Sequence, residues 1–216
     1  MNEINRSRQS DLFRPDQALS KVTIIGLGGI GSPTALILSK MGAKLTVIDF
    51  DVVEGHNLAS QLYRIEDIER PKVEAIADGL ASYAGVRPET RNERYVDQPL
   101  SGLVIAAVDN MDVRRQIWEQ ARFNPAVDLF VDTRMGGMVG LLLTARPCDP
   151  DDVEWYEKHL FSQSEASSDV CTARAIAFNS FGIAAMVAAT VRRWWVKGER
   201  HPSMRMDWES LNFLSL

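Results

Sequence analysis

The stretch KVTIIGLGGIG, from Lys21 to Gly31, decides the fold of this chain of 216 residues. It begins with a short β-branched run, which predicts a buried strand, and it ends in glycines, which predict a tight turn. A helical pattern follows from Gly29 to Met41, and Gly42 ends that helix. The run KLTVID, from Lys44 to Asp49, predicts a second strand. The stretch and its surroundings therefore predict a βαβ unit.

Strand and helix patterns continue to alternate along the rest of the chain. Gly102 to Val108 is a continuous apolar run, as in parallel strands that are buried on both faces. The alternation predicts an α/β, Rossmann-like, doubly wound fold, with a mainly parallel sheet, helices on both faces and an antiparallel C-terminal part. The other predicted elements are helices at Lys72–Tyr83, Met111–Phe123 and Cys171–Trp195, strands at Leu129–Asp132 and Val139–Ala145, and a strand or hairpin within Ser203–Leu216.

The length of the chain allows one large core and is short for two, so we expect a single domain over residues 1–216. Its N-terminal arm, residues 1–20, is polar and has no apolar core of the signal-peptide kind. Residues 147–170 are acidic and then rich in Ser and Glu, and we expect a crossover loop on the surface there. Polar residues interrupt the longest apolar stretch, Ile176 to Val191, so we expect no membrane span and a cytoplasmic location.

The charge and the cysteine content narrow the function classes. A net charge of −5 and a pI of about 5.3 argue against a broad basic surface for nucleic acid or anionic membranes. The two cysteines, Cys148 and Cys171, form no CxxC pair, and the three histidines show no metal-ligand spacing. We therefore expect no structural zinc.

The glycine turn predicts a nucleotide site, because GLGGIG fits G-x-G-x-x-G between a strand and a helix. Gly26 allows the tight turn, Gly28 lets phosphates approach the backbone, and Gly31 permits close helix packing. Asp49 ends the second strand, where a carboxylate can accept hydrogen bonds from ribose hydroxyls. These residues alone favour a nicotinamide or flavin dehydrogenase.

Four further motifs resemble the ThiF/MoeB/HesA family, which includes the nucleotide-binding half of ubiquitin-activating enzymes. They are DFDVV at 49–53, NLASQ at 57–61, RPK at 70–72 and AVDN at 107–110, in matching order and spacing. Ser7-Arg8-Gln9 is similar to the family's N-terminal Asn-Arg-Gln segment. The resemblance extends from about Ser7 to Arg134.

This resemblance implies an adenylyltransferase that uses ATP and Mg²⁺ to activate the C-terminal carboxylate of a ubiquitin-like or sulfur-carrier protein. It implies that Asn57 and Lys72 reach the phosphates, that Asp109 positions Mg²⁺, and that Arg8 reaches the site of the neighbouring subunit in a homodimer. The full set of residues implied at the nucleotide is Gly26, Gly28, Gly29, Gly31, Asp49, Asp51, Asn57, Gln61 and Lys72, with Gly28 and Asp49 at the adenosine.

One position departs from the family pattern. Family members usually carry an arginine immediately before the glutamine of the NLxRQ segment or two residues before it, whereas here Ser60 precedes Gln61. A phosphate contact is therefore missing or comes from another residue, and Arg64 is the nearest candidate. Adenylation needs cations around the phosphates rather than a strong base, since the attacking carboxylate is already ionised.

Cys171 is a second open point. A thiol at the start of the predicted helix gains thiolate character, and Cys171-Thr172 loosely resembles the Cys-Thr of ubiquitin-activating enzymes, where the cysteine forms a thioester. A small buried residue is the competing interpretation. Cys148 occupies a position where many bacterial family members carry the first cysteine of a zinc pair, but the second is missing.

Three alternatives remain open from the sequence. The chain could adenylate a carboxylate of a small molecule or tRNA, although its acidic composition argues against tRNA. It could be a non-catalytic, nucleotide-binding subunit of a heteromeric activating enzyme, which the serine at position 60 favours. An NAD-dependent oxidoreductase would leave Asn57, Lys72 and Asp109 unexplained.

Overall fold

The computed structural model describes residues 4–14, 16, 21–161 and 175–215. Its strands are β1 (Val22–Ile25), β2 (Leu45–Ile48), β3 (Glu89–Arg91), β4 (Gly102–Ala106), β5 (Val127–Gly136), β6 (Val139–Ala145), β7 (Ser203–Asp207) and β8 (Asn212–Ser215). The described helices are α1 (Gly31–Met41), α2 (Lys72–Ala84), α3 (Met111–Ala121), α4 (Pro150–Glu157) and α5 (Ala177–Lys197). Short 3₁₀ turns lie at Ser7–Gln9, Gly55–Ala59 and Ile65–Asp67.

All eight strands form one sheet in the order β3-β2-β1-β4-β5-β6-β7-β8. The five strands from β3 to β5 pair in parallel, and β5 to β8 pair antiparallel. The chain therefore leaves β1 on one side to build β2 and β3, and then returns to the other side to build β4. This reversal opens a crevice at the carboxyl ends of β1 and β4, which is where open α/β sheets bind ligands.

Helices cover the sheet on both faces, as predicted. On one face, α1, α2 and α5 enclose a core that includes Leu38, Ile76 and Val187, each almost fully buried. On the other face, α3 and α4 pack Trp118 and Tyr156 with their ring centroids 4.5 Å apart, and Phe130 of β5 lies beside them. The predicted α/β class, the mainly parallel sheet and the antiparallel C-terminal part are all confirmed.

Several element boundaries differ from the predictions. Helix α4 lies within the segment 147–170, where a loop was expected. The Asp149 side chain caps it by accepting from the backbone N–H groups of Asp151 and Asp152, and Pro150 occupies its first turn. Residues 162–170 lie outside the described residues. Strand β3 was not predicted, because its three residues are polar and largely exposed.

The predicted helix from Cys171 to Trp195 is also corrected. Residues 175 and 176 are not helical, and α5 begins at Ala177 and continues to Lys197. Cys171 lies outside the described residues. None of the described helices combines the length and the apolar character that a membrane span requires.

The N-terminal arm is fastened to two helices. Arg6 donates from Nε to the carbonyl of Lys40 (2.8 Å) and from its terminal nitrogen to the carbonyl of Ser39 (3.2 Å), both at the end of α1. Phe13 stacks on Trp195 of α5, with ring centroids 5.7 Å apart. The described part of the arm thus has fixed contacts with the body of the fold.

Candidate functional site

A cavity of about 650 Å³ opens at the carboxyl ends of β1, β2 and β4. Its size lies within the usual range of small-molecule sites, roughly 300–1,000 Å³. Most of the residues predicted at the nucleotide line it together, although they come from five separate parts of the chain. These residues are Gly26, Gly28, Gly29, Asp49, Asp51, Asn57, Gln61, Lys72 and Asp109.

The glycines of the turn differ in the space around them: two have no room for a side chain, and one has open space. Gly26 has φ +92°, and a Cβ there would lie 2.5 Å from the carbonyl oxygen of Ala107. A Cβ on Gly31 would lie 1.8 Å from the carbonyl oxygen of Gly26. Gly28 is different, since a Cβ would meet no atom within 4 Å. Gly26 and Gly31 are therefore required by the fold, whereas Gly28 leaves its backbone open to the cavity.

Asp49 braces this turn. Its Oδ2 accepts from the backbone N–H of Leu27 (2.6 Å) and its Oδ1 accepts from the backbone N–H of Asp51 (2.8 Å). The hydroxyl of Tyr63 donates to the Leu27 carbonyl (2.8 Å) on the same turn. Burial raises the pKa of Asp49, while the positive charge of Lys72 and the two backbone hydrogen bonds oppose that rise. This bracing role, beside the predicted ribose contact, was not foreseen from the sequence.

Lys72 points into the cavity from the first residue of α2. Its side chain is 8% exposed, and its Nζ lies 2.9 Å from Oδ2 of Asp51. The backbone is also tied, because the N–H of Lys72 donates to the carbonyl of Asp51 (2.9 Å). A lysine at the positive end of a helix dipole is unfavourable by itself. The ion pair with Asp51 holds the ammonium group there and next to Asp49.

The segment between β2 and α2 carries Asn57 on the 3₁₀ turn Gly55–Ala59 and Gln61 just after that turn. Asn57 is buried, and its Oδ1 accepts from the backbone N–H of Glu54 (2.8 Å). The N–H of Leu62 donates to Oγ of Ser32 (3.0 Å), which fastens the segment to the first turn of α1. Oε1 of Gln61 is buried and has no hydrogen-bond partner among the described residues. Gln61 is one of the residues that line the cavity.

Asp109 and Asn110, which follow β4, have different roles: one faces the cavity and the other caps a helix. Asn110 caps α3, because its Oδ1 accepts from the N–H groups of Asp112 (2.9 Å) and Val113 (3.0 Å). Asp109 is exposed in the cavity, and its carboxylate forms no hydrogen bond or ion pair with another described residue. The helix cap therefore does not use Asp109. Within the described ranges, no group of three or more His, Cys, Asp or Glu side chains is placed to hold a metal ion.

Three arginines of the cavity wall were missed by the sequence analysis. Arg114 and Arg134 both form ion pairs with the buried Asp132, behind the end of β4. Arg94 follows β3, and its guanidinium lies 3.9 Å from the centroid of the Phe50 ring. No short motif connects Arg114 to Asp132, which is 18 residues away. Arg94 could not be placed because β3 itself was not predicted.

Of the other residues considered from the sequence, Ser60 lies at the cavity, whereas Arg64 and Arg8 do not line it. Ser60 is buried and lines the cavity. Arg64 does not line it, and its guanidinium donates to both carboxylate oxygens of Asp67 at 3.0 Å. Arg8 is exposed on the 3₁₀ turn of the N-terminal arm, away from the cavity of its own chain. Cys148 is exposed after β6, and Cys171 lies outside the described residues.

Relatives of this chain are adenylyltransferases and activating enzymes. It is similar to the SAMP-activating enzyme E1 of Haloferax volcanii, at 34% identity over 132 residues that cover 57% of this chain and 47% of that protein. The sulfur carrier protein ThiS adenylyltransferase of Escherichia coli is 35% identical over 107 residues, covering 45% and 43%. The molybdopterin-synthase adenylyltransferase of Haemophilus influenzae is 31% identical over 110 residues, covering 47% and 45%. The chain spans about half the length of these curated relatives.

Solved structures share the fold. PaaA matches with a TM-score of 0.74 at 21% identity, over 94% of this chain and 65% of that one. Escherichia coli MccB with ATP matches with a TM-score of 0.72 at 18% identity, over the same fractions. The ThiF family itself matches residues 6–206, which is nearly the whole sequence. This chain therefore belongs to the ThiF family.

Proposed function

We propose that this chain is an ATP-dependent adenylyltransferase that activates the C-terminal carboxylate of a ubiquitin-like or sulfur-carrier protein. The observation that carries the proposal is the arrangement of one cavity. The cavity is lined by the carboxylate of Asp109, which has no hydrogen-bond partner among the described residues, by the buried Lys72 and by the open backbone of Gly28. The names of the relatives, which include a ThiS adenylyltransferase and a SAMP-activating enzyme, agree with it.

The cavity suits ATP in shape and in polar groups. The open space above Gly28 lies at the N-terminal end of α1, where no side chain caps the first turn. Such a helix end favours an anionic phosphate. The buried Oε1 of Gln61 is an acceptor that lacks a partner among the described residues. Asp49 retains lone pairs for ribose hydroxyls after its two backbone hydrogen bonds.

Asp109 is the carboxylate that would hold Mg²⁺. In proteins, Mg²⁺ is bound by one or two carboxylates together with phosphate oxygens, so one free carboxylate is a sufficient protein contribution. When bound, the ion neutralises charge on the phosphates. Lys72 adds a fixed positive charge from the protein, which Asp51 keeps in position.

The reaction needs positioning and charge neutralisation more than acid–base chemistry. A carboxylate oxygen of the carrier protein attacks the α-phosphorus of ATP, the bond from that phosphorus to the bridging oxygen breaks, and pyrophosphate leaves. The carboxylate is already ionised at neutral pH, so no proton has to be removed. Lys72 stabilises the charge that develops on the phosphate oxygens, as fixed cations do in phosphoryl transfer.

We assign Arg8 to the site of a second copy of the chain. Its exposed position outside its own cavity supports this role, which requires a homodimer. We further propose that residues 1–216 form a single adenylation domain, and that the carrier's tail threads over the segment 147–170 towards the α-phosphate. Cys171 would then capture the acyl group as a thioester, with release of AMP.

A non-catalytic, nucleotide-binding subunit is the second candidate function. Ser60 stands where the family pattern has an arginine, and Arg64 is engaged with Asp67 outside the cavity. These two observations leave the phosphates with fewer cations from this chain than the family pattern implies. They favour a protein that binds ATP but relies on a partner for catalysis.

Exchange of labelled pyrophosphate into ATP tests the proposal directly. The assay uses purified chain, Mg²⁺ and candidate carrier proteins, and compares wild type with Asp109→Ala and Cys171→Ala. Asp112→Ala is a matched control, since Asp112 is an exposed carboxylate on α3 that does not line the cavity. We expect exchange in wild type, Asp112→Ala and Cys171→Ala, and its loss in Asp109→Ala. ATP binding without exchange, for every carrier tried, would reject the enzyme and favour the non-catalytic subunit.

A further inference from the structure

The carboxyl edge of the sheet presents three strand ends in sequence, and each has a different chemistry. The end of β1 carries the glycine turn, the end of β2 carries Asp49, and the end of β3 leads to Arg94. In this class of fold, phosphates lie at the glycine turn and ribose at the acidic residue. The next position outward along the same edge is the one left for the base. Phe50 and Arg94 both line the cavity there.

We propose that Arg94 and Phe50 form a stacking platform for the purine base, and that Arg94 contributes to the choice of purine over pyrimidine nucleotides. The guanidinium carbon of Arg94 lies 3.9 Å from the centroid of the Phe50 ring. The two side chains thus lie against each other in the cavity wall, with the ring half-exposed. This inference rests on the proposed ATP site and adds a residue that the family motifs do not contain.

The guanidinium group of Arg94 is available for a ligand. The other cationic side chains of the cavity wall are occupied, Lys72 by Asp51 and both Arg114 and Arg134 by Asp132. The guanidinium of Arg94 forms no hydrogen bond or ion pair within the described part of the chain. A planar guanidinium with a free face is a good surface for a nucleobase, because cation–π attraction adds to the stacking.

The backbone under Arg94 is braced, so the platform has a fixed base. The side chain of Gln98 donates to the carbonyl of Arg94 (3.0 Å) and accepts from the N–H of Val96 (2.8 Å). The next residue, Tyr95, is buried, and its hydroxyl donates to the carbonyl of Gln98 (3.2 Å). The loop after β3 is therefore held by its own side chains while the arginine side chain stays in the cavity.

Equilibrium binding measured by calorimetry distinguishes a base platform from a phosphate contact. The probes are ATP, CTP and tripolyphosphate, each titrated into the full chain. We expect Arg94→Ala to weaken ATP binding by about tenfold, as for loss of one stacked base, and to leave tripolyphosphate binding unchanged. Phe50→Ala should weaken ATP binding by about threefold, since it removes only the ring beneath the guanidinium. The preference for ATP over CTP should narrow in both variants.

Two further variants control for charge and folding. Arg94→Lys keeps the positive charge but loses the plane, so we expect it to bind ATP as weakly as Arg94→Ala. Arg91→Ala removes a cation from β3 that pairs with Glu89 and does not line the cavity. It should leave ATP binding within about twofold of wild type.

Several outcomes would overturn the platform. They are full recovery of ATP affinity in Arg94→Lys, an equal loss of ATP and tripolyphosphate affinity in Arg94→Ala, unchanged ATP affinity in Arg94→Ala, and a wild-type chain that binds no nucleotide. The assay is independent of pyrophosphate exchange. A chain that binds ATP through Arg94 but supports no exchange would reject the adenylyltransferase and keep the platform.

Discussion

Arg114 and Asp132 form an ion pair in the interior of the fold, where their side chains are only 3% and 0% exposed. Arg114 also donates to the carbonyls of Ala106, the last residue of β4, and of Val108, which directly precedes Asp109. Asp132 in turn accepts from the hydroxyl of Tyr156 (2.8 Å) on α4. The pair therefore connects the strand end that presents Asp109 to α4, which packs on the same face of the sheet as α3.

Loss of this arginine should destabilise the protein strongly. Arg114→Leu leaves a buried carboxylate with one cation fewer, and we expect the free energy of unfolding to fall by about 3 kcal/mol. Arg115→Leu is the matched control, because Arg115 is exposed on the same helix. This substitution should change the free energy of unfolding by less than about 0.5 kcal/mol. Urea unfolding of both variants measures the difference. Equal effects of the two substitutions would contradict the structural role of the buried pair.

The glycines of the turn should separate folding from binding. Gly31→Ala places a methyl group 1.8 Å from the Gly26 carbonyl oxygen, so we expect a loss of about 3 kcal/mol or more in stability. Gly28→Ala meets no atom within 4 Å and does not have a positive φ. It should therefore unfold at the wild-type urea concentration but bind ATP more weakly by about 1–3 kcal/mol, the usual range for overpacking. Normal ATP affinity in a folded Gly28→Ala chain would show that phosphates do not approach there.

Lys72 should matter for chemistry more than for folding. Lys72→Met keeps the buried stem and removes the charge, and we expect the exchange rate to fall by about 10²–10³-fold, as for other fixed groups that stabilise a transition state. Asp51→Asn removes the ion-pair partner but keeps the lysine, so it should reduce the exchange rate less than Lys72→Met does. Pyrophosphate exchange at saturating ATP, with thermal unfolding as the folding control, measures both. If Asp51→Asn reduces exchange more than Lys72→Met does, Asp51 rather than Lys72 is the main contributor.

The sequence predicted the parts of this site that depend on local chain geometry. Gly26, Gly31 and Asp49 follow from a strand, a turn and a helix that are adjacent in the chain. Lys72 and Asp109 came only from motif resemblance, and the sheet topology brings them into one cavity with the glycine turn.

Features that depend on contacts between distant segments could not be predicted. The polar, exposed edge strand β3 lacks the apolar pattern of a buried strand, so Arg94 had no assigned place. The pairing of Arg114 with Asp132 requires the register of two strands. Helix α4 could have been found, since Asp149-Pro150 is a cap followed by a first-turn proline.

Acid should weaken the link between α4 and the sheet through Asp152. This buried carboxylate accepts from Nε of Arg146 (2.9 Å), from the backbone N–H of Arg146 (2.8 Å) and from Arg200, so that it ties α4 to the residues that follow β6 and α5. Burial by itself would raise the pKa of Asp152, but hydrogen bonds from Arg146 and Arg200 outweigh it and hold the pKa below its ordinary value.

The sign of the pH dependence follows from this lowered pKa. The ionised Asp152 contributes stability that is fully present above the unfolded-state pKa of about 3.9 and is lost as the pH falls through the lower folded-state pKa. Asp152→Asn should therefore be less stable than wild type at pH 7, and the difference should shrink below about pH 4. Thermal unfolding from pH 7 to well below pH 4 measures this difference, with the exposed Asp128→Asn as a control. A difference that stays constant down to the acid limit would mean that Asp152 stabilises the fold without its charge.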